Sequence, residues 1–117
     1  MKRFLAVYIG TEASMNESGW NALSETERQE RGRTGIAAWK KWVESNEGSL
    51  VEVGAPLGKT LHVSKHGIEK TKNELTAFTV VQAKSHEDAA KLFENHPHFT
   101  LFPGDSIEIM ECLPMPG

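Results

Sequence analysis

The chain has 117 residues, of which 38% are hydrophobic and 25% charged, the size and composition of one soluble globular domain that buries roughly two-thirds of its unfolded surface. Its 13 basic and 16 acidic side chains give a net charge of −3 and offer no reservoir of counterion-releasing contacts, so no nucleic-acid partner is expected. The single cysteine, Cys112, excludes an intramolecular disulfide and a cysteine zinc cluster, and in a terminal strand it reads as a small buried hydrophobe.

Behind Lys2 and Arg3, Phe4 to Ile9 is an apolar run too short for a signal-peptide core or a bilayer span, so a cytoplasmic location with no membrane partner is the expectation. The run reads as a strand buried on both faces, with Phe4, Ala6 and Tyr8 pointing one way and Leu5, Val7 and Ile9 the other. Thr11 to Ala22 lacks either period and reads as a loop, in which Trp20 is too large and apolar to be idle. Ser24 and Glu27 form a capping box that starts a helix, whose Ile36, Trp39, Trp42 and Val43 fall at helical spacing before Asn46 and Gly48 end it. Arg28, Arg31 and Arg33 lie on its polar half, as a solvated face or as partners for an anionic ligand.

Leu50 to Val53 is extended, meets Gly54, Pro56 and Gly58, and resumes as Lys59 to Ser64, which predicts a bulge or an edge position rather than a flat central strand. Lys65-His66-Gly67 is a turn, Thr76 to Ala83 the next strand, and Ser85 caps a second helix whose inward face is Ala89, Leu92 and Phe93. A His96-Pro97-His98-Phe99 corner leads to a final strand, Ser106 to Leu113. The order is β-α-β-β-α-β, an α+β ferredoxin-like domain over residues 1–117. Its helices cover one sheet face; the doubly apolar strands predict a homodimer through the other.

Gly54-Ala55-Pro56-Leu57, Thr79 to Ala83 leading into Ser85-x-Glu87-x-Ala89-Ala90, His96-Pro97-His98 and Ile107-Glu108-Ile109 resemble the YCII-related proteins and their DGPF-type relatives across nearly the whole chain. The resemblance implies a dimeric α/β barrel, a class that includes heme-degrading enzymes, cofactor-free monooxygenases, lactone isomerases and plain ligand binders. Two signatures depart from the pattern. Ala37 and Asn46 stand where the YCII acid–base His and Asp would be, and Lys65-His66-Gly67-Ile68 replaces the Asp-Gly-Pro-Phe turn, although Thr71, Lys72, Leu75 and Phe78 of the following run are present.

An imidazole suits general acid–base work near neutrality, which makes His98, His96 and His62 the candidate catalytic groups. His96 and His98 flank Pro97 and, in an extended segment, would both approach one substrate oxygen; as a plain corner, His96 would cap the second helix's carbonyls and Pro97 would stop it. Tyr8 is the candidate hydroxyl donor, and Trp20 and Trp39 the candidate walls of a ligand site. No third ligand follows His98 at motif spacing except Asp105, which also fits a Pro-Gly-Asp turn, so no metal is expected. No histidine sits in a heme-ligation motif, and phosphate-binding, zincin and nucleophile-elbow patterns are missing, so no cofactor is expected. Two readings follow: a cofactor-free enzyme doing acid–base or oxygenase-type chemistry on a small organic molecule, or a non-catalytic ligand-binding or assembly module.

Overall fold

The computed structural model describes residues 1–116. β1 (Lys2–Ile9) is followed by α1 (Glu12–Glu17), α2 (Glu25–Ser45), β2 (Leu50–Pro56), β3 (Thr60–Ser64) and β4 (Gly67–Thr71), then by β5 (Leu75–Ala83), α3 (His86–Lys91), α4 (Pro97–Thr100) and β6 (Ser106–Glu111). Strands β2-β5-β1-β6 form an antiparallel sheet in that order, the ferredoxin-like α+β arrangement. β1 is central because its run from Phe4 to Ile9 is apolar throughout. It pairs with β5 from Lys2↔Ala83 to Ile9↔Leu75 and with β6 from Phe4↔Glu111 to Ile9↔Ser106.

The core lies on one sheet face. Phe4, Ala6, Tyr8, Val81 and Ala83 pack there with Ala89 and Phe93, and Trp39 and Trp42 of α2 close over them. The second face carries Leu5, Val7 and Ile9 of β1, with Val80 opposite Leu5 on β5 and Met110 opposite it on β6. Leu5 and Ile9 are half-buried and Met110 is exposed, so the double burial predicted for β1 is incomplete within one chain.

Local capping places the helices. Ser24 Oγ accepts from the Glu27 amide at 3.1 Å while the Glu27 carboxylate accepts from the Ser24 amide at 3.1 Å, and Ser85 Oγ accepts from the Asp88 amide at 3.1 Å. Three expectations need correction. Thr11 to Ala22 is not a loop: Thr11 and Ser14 form a reciprocal capping box that starts α1, and Trp20–Ala22 is a 3₁₀ turn. A serine at the third position replaced the glutamate that normally announces such a box.

The edge strand is bulged at Gly54, as predicted, but Lys59 to Ser64 does not continue it. The chain leaves the sheet after Leu57, whose amide donates to the Thr76 carbonyl at 2.9 Å, and Thr60–Ser64 pairs instead with Gly67–Thr71 around the predicted turn. Cys112 is exposed rather than buried, because β6 ends at Glu111, where the core it packs on also ends.

Candidate functional site

Tyr8 sits on the core face of the central strand and is fully buried. Its hydroxyl lies 2.9 Å from Thr79 Oγ1, and Thr79 Oγ1 donates its own proton to the Val53 carbonyl at 2.9 Å. The Tyr8 hydroxyl is therefore the donor to Thr79. Burial pushes the phenol up to about 12, against the lowering effect of the Thr79 bond, so it keeps its proton at neutral pH.

Removing that middle hydroxyl should cost more than one bond. In Thr79→Val the Tyr8 hydroxyl and the Val53 carbonyl both lose a partner in a dry interior, and we expect a loss of about 2 kcal/mol in urea unfolding. Adding Tyr8→Phe should recover part of it, because one orphaned group is then gone. A fully additive double mutant would contradict the network.

His96 and His98 are brought together, but not in extended backbone. Pro97 occupies the first position of α4, where its missing amide costs nothing, and His96 is the N-cap residue. The expectation that Pro97 merely stops the preceding helix is thus overturned: α3 ends at Lys91, the chain turns through Asn95 at φ 57°, and Pro97 starts a new turn. His96 Nδ1 accepts from the His98 amide at 3.0 Å, which leaves the proton of the neutral ring on Nε2, 3.5 Å from the Tyr8 hydroxyl. Trp39 and Trp42 stand edge-on to the same ring at centroid distances of 4.5 and 4.6 Å. Burial first, and the neighbouring His98 second, push its pKa down to about 4.

His98 is held differently. Its Nε2 donates to the Ile9 carbonyl at 2.8 Å, at the end of β1, and its ring lies so close to Gly104 that a Cβ there would overlap it. Burial holds the imidazole below its ordinary value, while the Ile9 carbonyl, the Ser106 backbone and the Asp105 carboxylate pull the other way. It is a neutral imidazole with a fixed tautomer.

His98 alone of the candidate acid–base groups lines a cavity. A chamber of about 440 Å³ opens between α2, supplying Ile36, Trp39 and Lys40, and strands β2 and β5, with His98 and Phe102 closing its end. Its walls are almost wholly apolar. On the other side of His98, Phe102 and Thr76 lies a second hollow of about 510 Å³, where Thr11, Asn16 and Asn21 supply polar groups. The imidazole stands at the junction of an apolar chamber and a more polar vestibule.

Of the other predicted site residues, Trp39 lines the chamber and stacks on Tyr8 at 5.0 Å, while Trp20 packs behind Phe102 at 6.3 Å and does not reach the chamber. Tyr8 and His96 lie beneath the chamber rather than in its wall. His62 is apart from all of them, exposed on β3 opposite Glu69. Arg28, Arg31 and Arg33 form a solvated face. Among the described residues no three His, Cys, Asp or Glu side chains cluster as a metal site, and no helix is long and apolar enough to cross a membrane. Sequence reasoning did not single out Phe102, Thr76 and Ile36. Ile36 carried a signal, since it belongs to the apolar stripe of α2 yet is 52% exposed: that part of the stripe faces a cavity, not the core.

No protein-family model and no curated protein matches this sequence. Among solved structures, the chain is similar to the 5-chloro-2-hydroxyhydroquinone dehydrochlorinase of Burkholderia phenoliruptrix AC1100, in complex with 2,5-dihydroxybenzoquinone, at a TM-score of 0.51 and 16% identity over 92% of this chain and 90% of that one. The two share a fold over nearly their full lengths.

Proposed function

We propose that the chain binds a small organic molecule with an apolar, ring-sized body in the 440 Å³ chamber and that His98 transfers a proton to or from it without a cofactor. The observation that carries this reading is a neutral imidazole, anchored through Nε2 to the Ile9 carbonyl, in the wall of an apolar cavity. In that tautomer Nδ1 is the basic nitrogen. Taking a proton there leaves the ligand anionic and the ring cationic, with the Ile9 carbonyl, Ser106 backbone and Asp105 to stabilise the cation. Lys40 also lines the chamber and adds a second positive charge for the anion. Tyr8 and His96 are positioning residues that hold the β1 end and the α4 turn. A solved enzyme of this fold acts on a hydroxylated ring and was captured with a quinone of a size this chamber holds, which supports the ligand class.

The open sheet face, with Leu5, Val7, Val80 and Met110, supports pairing of two copies through their sheets, the assembly characteristic of the dimeric α/β barrel class. An exposed, unpaired Cys112 suits a reducing, cytoplasmic compartment. The alternative, a non-catalytic binding module, is favoured by the YCII dyad positions. Ala37 is an exposed helix residue, and Asn46 serves as the C-cap of α2, its Nδ2 donating to the Trp42 carbonyl at 2.8 Å.

The test is a panel of phenols, hydroquinones, quinones and lactones, scored by NMR shifts of the Trp39 indole and His98 imidazole. Hits are then followed for solvent deuterium incorporation or turnover. We expect His98→Gln, which keeps a donor for the Ile9 carbonyl, to bind hits within about threefold of the wild type and to lose at least about 100-fold in exchange or turnover. Equal rates in the two proteins would overturn the role of His98, and binding with neither exchange nor turnover would establish the binding-module reading.

A further inference from the structure

The ribbon of β3 and β4 is unlike the rest of the molecule. Its two strands pack on each other and make no substantial contact with any other element, and an isolated two-stranded ribbon is marginal in water. The pairing Leu61↔Lys70 and Val63↔Ile68 puts three apolar side chains on one face, with Thr60↔Thr71 and His62↔Glu69 on the other. Leu61, Val63 and Ile68 are 63%, 72% and 69% exposed. The sequence thus alternates as a half-buried strand does, yet in one chain nothing covers the apolar half.

Shape makes the same point. The radius of gyration is 16.1 Å and the longest dimension 54 Å, whereas a compact chain of this length has a radius of gyration of about 13 Å. A ribbon that packs substantially on no other element is consistent with that extended shape. At its base, Lys59, Lys70 and Lys72 line a hollow with Leu61 and Leu75. The complementary surface exists at the opposite edge of the sheet. There β6 carries Glu108 and the exposed Met110, which pair with Val7 and Leu5 on the open face. The ribbon springs from the β2–β5 edge and β6 is the other edge, so the two surfaces of one chain are separated by the width of the sheet.

We propose that the β3–β4 ribbon is an exchanged arm: it lays Leu61, Val63 and Ile68 along the β6 edge of the open sheet face of a second copy of this chain, beside Met110, with Lys70 and its neighbours against Glu108. Two such arms related by a two-fold axis clasp the pair reciprocally. This goes beyond sheet-to-sheet pairing, because it names the element that makes the pair, and it does not depend on the reading of the chamber.

The test is sedimentation equilibrium of the full chain, with three sets of substitutions. The wild type should be a dimer. The triple variant Leu61→Thr, Val63→Thr, Ile68→Thr should keep the wild-type circular dichroism, since all three side chains are exposed, and raise the dimer Kd at least about tenfold. Glu108→Lys on the receiving surface should do the same, and Lys70→Glu added to it should restore dimerisation. In a Cys112→Ser background, Val63→Cys with Met110→Cys should form an intermolecular disulfide. A monomeric wild type overturns the proposal. A dimer whose Kd ignores the triple variant overturns the arm and leaves the sheets alone as the interface. Weakened dimers with neither charge-swap rescue nor the disulfide overturn the assigned docking surface.

Discussion

Acidification from pH 6.5 to pH 4 is expected to remove on the order of 3 kcal/mol of stability through His96 alone. The imidazole titrates at about 4 in the folded protein and at the ordinary 6.5 once unfolded. Between those values the unfolded chain binds more protons, so stability rises with pH across the window. It is fully present above 6.5, is lost as the pH falls toward 4, and changes no further below it. The cause is physical enclosure: a fully buried ring between two indoles and a phenol has no counter-ion, and its Nδ1 is occupied by the His98 amide. His98, also held below its ordinary value by burial, acts in the same direction.

Urea unfolding at a series of pH values measures this directly. His96→Asn is the informative comparison, because its side-chain oxygen can still accept from the His98 amide while it carries no titrating group. That variant will be less stable at neutral pH, from the cavity it leaves, but its stability should fall by about 3 kcal/mol less than the wild type over the same window. Parallel curves would mean that His96 is not the group responsible.

Gly54→Ala is expected to destabilise the fold by about 3 kcal/mol or more. Gly54 has φ +83°, a left-handed conformation that L-residues adopt at a cost of roughly 1–2 kcal/mol. Beyond that cost, a Cβ there would overlap the Phe78 carbonyl, a backbone atom of the neighbouring strand that no rotamer change can move. The edge strand must therefore shift away from β5, which breaks the Thr79-to-Val53 bond and deforms the chamber wall. Thermal and chemical denaturation read the loss. Ligand binding should weaken with it, whereas Gly58→Ala, where a Cβ meets nothing, should leave both unchanged within about 0.5 kcal/mol. Equal behaviour of the two variants would show that the bulge has no structural role.

Much of the fold is legible because its signals are local. Ser24 with Glu27, Ser85 with its acids, and the apolar runs Phe4 to Ile9 and Thr76 to Ala83 each specify an element within a few residues. The misreadings share a cause. Residues Thr60 to Ser64 alternate Leu61 and Val63 with polar neighbours, which identifies a strand but not its partner, and β4 contains only Ile68 to announce itself. Pro97 was ambiguous because proline follows a helix as readily as it begins one. At the site, residue type singled out His98 and Trp39, both of which line the chamber. Phe102, Thr76 and Ile36 join them only because α2, β5 and the segment after α4 meet there, and no sequence window spans those elements.

The bulge in β2 also interrupts its backbone ladder with β5. Register shifts on both sides of Glu52 leave β2 paired with β5 only at Leu50, Glu52, Ala55 and Pro56, whereas β1 is laddered on both sides along most of its length. Opening free energies in a native protein follow such differences: an edge strand with an interrupted ladder opens at lower cost than a central strand paired on both sides. The segment from Val53 to Pro56 is also the outer wall of the chamber. Amide exchange is therefore expected to be faster at this edge than in β1, where the strand that carries Tyr8 and the carbonyl gripping His98 stays in register.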